Sequence, residues 1–116
     1  MIAFERGSRV VQAFLERAQR SGEQVRTTTG VVAQVWRRPA AQARLSRLLR
    51  GVEEVALDRD RARRTGVLLG AAHVDDVVDG SLVDAGRDGD EILTSDPDDL
   101  IRLASAAGKT LIITRI

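Results

Sequence analysis

The chain has 116 residues, 18 basic against 17 acidic, with one histidine and no cysteine. That length predicts a single domain over residues 1–116, large enough to bury a core without covalent staples. The composition excludes a disulfide framework, a thiolate metal centre and a multi-histidine site, and it leaves a Ser-His triad without support.

The near-neutral total conceals a division. Residues 1–64 hold 14 basic residues and 7 acids, whereas residues 65–116 hold 4 and 10. Every basic residue except Lys109 is arginine, whose planar fork grips phosphate and carboxylate and stacks on bases. A basic half beside an acidic half suits an enzyme that acts on nucleic acid through metal ions. Arginines that merely solvate helix faces would produce the same charge pattern. No apolar run approaches the ~20 residues of a membrane span. Met1 runs almost directly into charged residues, so no secretory leader is expected. The expectation is therefore a soluble cytoplasmic protein with no membrane partner.

In chain order, residues 1–5 are a short apolar segment broken by Gly7 and Ser8. Ser8 is placed to cap a helix over 9–20, with Val10, Val11, Phe14, Leu15 and Ala18 on one side. After Ser21-Gly22, residues 24–27 read as a strand. Thr28 or Thr29 caps a helix through VVAQVW, residues 31–36. Pro39 opens a helix to residue 49, which Gly51 stops. The alternating VEEVAL at 52–57 reads as a strand. Asp58 caps a helix through Leu69, with Gly70 ending it. An acidic helix comes next, with Asp76 and Asp79 about 60° apart on one face. Val74, Val78, Leu82 and Ala85 form a different, inward face. EILT, residues 91–94, reads as a buried strand. Pro97 suits the first position of a helix over 97–107, which makes Asp96 its N-cap and Asp99 its third residue. Gly108 stops that helix, and residues 110–116 form a last strand. This alternation predicts an α/β sandwich around a mostly parallel sheet, with ligands bound beyond the carboxyl ends of the strands. Asp96 stands at such an end. A P-loop and a GxGxxG fingerprint are both absent.

Residues 73–100 carry all ten acids of the C-terminal half. The acids of one helix and the acid at a strand end are thus expected to meet. Carboxylates crowded together repel one another unless a cation lies between them, and hard oxygen ligands suit Mg²⁺ or Mn²⁺. Asp79, read as mid-helix and so beyond the reach of capping, is the strongest candidate.

Two motifs carry a family resemblance. Asp79-Gly80-Ser81-Leu82-Val83 precedes a glycine turn and an apolar strand, and Thr94-Ser95-Asp96-Pro97-Asp98-Asp99 comes directly after that strand. In order and spacing they resemble the C-terminal half of a PIN domain, in particular the VapC-like toxin ribonucleases. Upstream, IAFERG at 2–7 resembles the segment just after the first PIN strand, and VVAQVWR at 31–37 resembles the helix that carries the family's glutamate. The resemblance implies a three-layer α/β/α sandwich and a metal-dependent RNA endonuclease. Asp79 and Asp96 would be catalytic and bind Mg²⁺ or Mn²⁺, with Asp76 and Asp99 as further metal ligands. It also implies a cognate antitoxin wrapped over arginine-rich helices, and a homodimer. Two departures count against full activity. The chain begins after the strand that carries the family's first acid, so the opening strand is expected to be missing or stunted. Gln34 occupies the glutamate position, and its amide is a poorer ligand. A weakened nuclease is the expectation, and the alternative is an inactive PIN-fold module that binds RNA or an antitoxin.

Plainer roles stand beside these. Asp96 suits a helix cap, and Asp75, Asp76 and Asp98 suit the positive ends of helices. Asp84 points away from the Asp76/Asp79 face and is expected in solvent. Glu5 reads as a solvated helix-start residue, His73 as a helix-entry residue and Trp36 as core. Arg37, Arg38, Arg44 and Arg47 are placed to grip phosphates or an acidic antitoxin segment, or only to solvate their helices.

Overall fold

The computed structural model describes residues 9–36, 46–47, 49–94 and 96–116. Along them run α1 (Arg9–Ser21), β1 (Val25–Thr28), α2 (Thr29–Val35), β2 (Val52–Val55), α3 (Arg59–Ala72), α4 (Val77–Ala85), β3 (Glu91–Thr94), α5 (Asp98–Ala107) and β4 (Ile112–Arg115). β1 pairs in parallel with β2, Val25 opposite Val52, and β3 pairs in parallel with β4, Glu91 opposite Ile112. Among the described residues the strands thus form two separate two-stranded parallel sheets. The expected mixed α/β architecture with parallel pairing is present. The expectations for residues 1–8, for most of the helix over 39–49, and for Glu5, Arg37, Arg38 and Arg44 lie outside the described residues.

Local chemistry sets most boundaries. The Thr28 side chain caps α2 by accepting from the Val31 N–H, and Asp58 caps α3 by accepting from the Arg61 N–H at 2.9 Å. Gly108 ends α5 in the left-handed conformation, φ 64°, which a residue without Cβ adopts at no steric cost. α3 runs past Gly70 to Ala72 and stops at His73, itself left-handed at φ 54°. His73 therefore closes a helix rather than opening one. Its N–H bonds the Gly70 carbonyl, the Val74 N–H bonds the Leu69 carbonyl, and Val74 is buried. Those bonds and that apolar anchor offset the strain of a non-glycine cap.

The core gathers Leu15 of α1, Val31 of α2, Leu82 and Val83 of α4, Ile92 and Leu93 of β3, and Leu100 and Leu103 of α5. α4 is the central helix. Gly80 to Val83 and Ala85 are all buried, and the helix packs on α2, α3, α5 and β1. This replaces the expected single inward face, because Val78 is only half-buried and Val74 lies outside the helix. Gly80 permits the closest approach, since a Cβ there would meet Leu69 Cδ2 at 2.9 Å and Thr65 Cγ2 at 3.0 Å on α3. Trp36, expected in the core, is 40 % exposed.

Cations secure the C-terminal end of α4. Lys109, the only lysine, donates to the carbonyls of Val83, Asp84 and Gly86 at 2.9, 2.7 and 2.8 Å, as expected for an ammonium at the negative end of a helix. Arg26 of β1, buried, donates to the Ala85 carbonyl and pairs with Asp90. It ties the first sheet to the turn that enters the second. Asp84 is not solvated as expected. Its side chain is 10 % exposed and accepts from Arg61 at 3.0 Å and Arg64 at 3.2 Å. Removing its charge would leave two guanidinium groups underpaired, so Asp84→Asn is expected to cost about 2 kcal/mol of stability in urea denaturation.

Candidate metal centre

The opposite end of α4 presents acids. Asp76 is the N-cap, extended at φ −77° and ψ 101°, and its carboxylate accepts from the Asp79 N–H at 3.0 Å. One carboxylate oxygen is thereby fixed, and the other is available for a ligand. Asp79 is the third residue of α4, in its first turn rather than mid-helix as expected. Asp99 is the second residue of α5. One oxygen from each of Asp76, Asp79 and Asp99 lies within 4.8 Å of the other two. Two helix N-termini therefore converge, each carrying carboxylates where its dipole favours them.

The dipoles do not neutralise the cluster. Burial, then the charges of Asp76, Asp99 and Asp96, push the Asp79 carboxyl up to about 7. A carboxyl raised this far, with a second and a third carboxylate against it, lacks a compensating positive charge. The donor set fits a hard divalent cation, being all oxygen and all carboxylate. Adjacent ligands of an octahedral Mg²⁺ or Mn²⁺, each about 2.1 Å from the ion, lie about 3 Å apart, so small side-chain rotations would close the site.

Of the four expected ligands, the trio contains Asp76, Asp79 and Asp99 but not Asp96. Asp96 is exposed, and of the three neighbouring acids it raises Asp79 the least. It is not the cap of α5 either: Pro97 holds that position, with no side-chain cap bond. The turn is held instead by Thr94, whose Oγ1 accepts from the Asp96 N–H at 3.1 Å and lies 3.3 Å from the Asp96 carbonyl. The Asp96 carboxylate is thus not used in capping. Asp98 and Asp75 are exposed, and so is Gln34 on α2.

One neighbour of the site was not singled out from the sequence. Arg102 of α5 donates to the Ala72 and His73 carbonyls, and it forms an ion pair with Asp99, three residues earlier. Only that i,i+3 spacing was there to signal it.

Among the described residues no helix is long and apolar enough to cross a membrane. Compared with known protein families, with curated proteins and with solved structures, the chain gives no match.

Proposed function

We propose that the chain is a metal-dependent RNA endonuclease of the VapC-like PIN type, built as a three-layer α/β/α sandwich. The observation that carries this reading is the meeting of Asp76, Asp79 and Asp99 at two helix N-termini. The resemblance around Asp79 and Asp96 supplies the reaction class. A Mg²⁺ or Mn²⁺ ion at the trio would acidify a water and offset charge on the phosphate under attack. Asp79 would exchange its proton for the cation. Asp96, beside the trio and not used as a cap, would serve on the substrate side. Arg47, Arg59 and Arg63 are exposed and would meet the RNA backbone. The site would work in the cytoplasm, in a homodimer held in check by an antitoxin peptide.

Gln34 stands where the family has a carboxylate. Few charged donors leave Mg²⁺ largely hydrated, so slow cleavage is expected. The same glutamine favours the second reading, a PIN-fold module that binds RNA or an antitoxin without cutting.

The test is cleavage of a labelled RNA pool by the purified chain. Slow Mg²⁺-dependent cleavage, abolished by a chelator and by Asp79→Asn, is the expected outcome. RNA binding without cleavage in either Mg²⁺ or Mn²⁺ would favour the binding module. Cleavage that survives both the chelator and the substitution would contradict the assignment.

A further inference from the structure

We propose that Arg102 is the positioning residue of the metal site, setting the distance between its two walls; the inference rests on the proposed binding of a metal by the trio. One wall is the start of α4, with Asp76 and Asp79. The other is the start of α5, with Asp99. Arg102 Nη2 donates to the carbonyls of Ala72 and His73, both at 3.1 Å. Those carbonyls end α3, where a cation is favoured, and only Val74 and Asp75 separate His73 from Asp76. Arg102 Nη1 lies 3.9 Å from Asp99 Oδ1. A single planar guanidinium thus holds the chain that enters α4 with one nitrogen and faces the Asp99 carboxylate with the other. At 3.9 Å the contact is a charge pair and not a hydrogen bond, so it leaves the Asp99 oxygens open to a ligand.

Electrostatics alone argues against a cation here. A guanidinium beside a trio that binds Mn²⁺ repels the ion. If Arg102 were only a nearby charge, removing it would tighten binding. If it sets the geometry, removing it weakens binding, and the sign separates the two. The side chain is 55 % exposed, so its loss leaves the contacts of Leu100 and Leu103 in place. Lysine keeps the charge but not the fork that makes both contacts.

The experiment is calorimetric titration of Mn²⁺ into the full chain, into Arg102→Gln and into Arg102→Lys. Each is measured at a temperature where circular dichroism shows it folded. Both variants are expected to bind about tenfold more weakly than wild type, the scale of losing an outer partner of a metal ligand. Wild-type or tighter affinity in Arg102→Gln, or wild-type affinity in Arg102→Lys, overturns the proposal while leaving the metal site standing. Absence of Mn²⁺ binding by the wild-type chain overturns the metal reading itself, and the proposal with it.

Discussion

Asp79→Asn is expected to weaken Mn²⁺ binding by about a hundredfold or more, since a ligand is removed rather than an outer partner. The Asp79 carboxyl is raised by burial first and by the charges of Asp76, Asp99 and Asp96 after it. Its loss removes one of the three carboxylate donors and the negative charge it carries when ionised. Asp84→Asn is the control. Its carboxylate is engaged by Arg61 and Arg64 at the far end of α4, so calorimetry should give wild-type Mn²⁺ affinity despite the lower stability of that variant. Equal affinity in wild type and Asp79→Asn would count against the site.

Metal-free stability should move the other way. The Asp79 carboxyl titrates near 7 in the folded chain against an ordinary value of 3.8. Ionisation is therefore harder in the folded state than in the unfolded one. As pH rises through 7 the folded state loses stability, and as pH falls from 7 toward 3.8 it regains it. Asp79→Asn removes this dependence. In chelator at pH 8 its melting temperature should exceed that of wild type, and the gap should narrow at pH 6.

The second large effect is the pH dependence of metal binding. Only the carboxylate form of Asp79 accepts a cation, so protons compete with Mn²⁺ below pH 7. With a value of about 7, the ionised fraction falls from roughly nine-tenths at pH 8 to roughly one-tenth at pH 6. Apparent Mn²⁺ affinity of the wild type should fall about tenfold over that interval, with release of a proton on binding. Titrations in two buffers of different ionisation enthalpy would read that proton directly. Affinity that is flat from pH 6 to pH 8 would contradict the account of Asp79.

Features fixed by a side chain and a backbone group a few residues apart were legible in the sequence. Asp58 capping α3 and Gly108 closing α5 are of this kind, and the strand at Glu91–Thr94 was legible from its apolar run. So, in part, is the pairing of Asp76 with Asp79, although the N-cap falls at Asp76 itself and places Asp79 in the first turn. The cap of α5 was misplaced because Thr94 competes for the turn: its hydroxyl takes the Asp96 N–H, and the helix starts one residue later. Asp99, in the first turn of that helix, reaches the trio, and Asp96 does not. His73 gave no local signal, because a left-handed histidine is unfavourable until the Leu69 and Gly70 carbonyls and the buried Val74 support it. Asp84 and Arg26 were missed for another reason. Their partners, Arg61 and Asp90, lie 23 and 64 residues away, so only the packing of α3, α4 and β1 brings the charges together. Charge counts along the chain describe solvated faces and cannot separate these from buried pairs.

The most direct test of the central claim is anomalous diffraction at the manganese edge from crystals of the chain soaked in Mn²⁺ near pH 8. The account predicts a peak bounded by the carboxylates of Asp76, Asp79 and Asp99, absent from Asp79→Asn crystals treated in the same way. A map with no peak between those three aspartates, or a peak that persists there in Asp79→Asn, would contradict it.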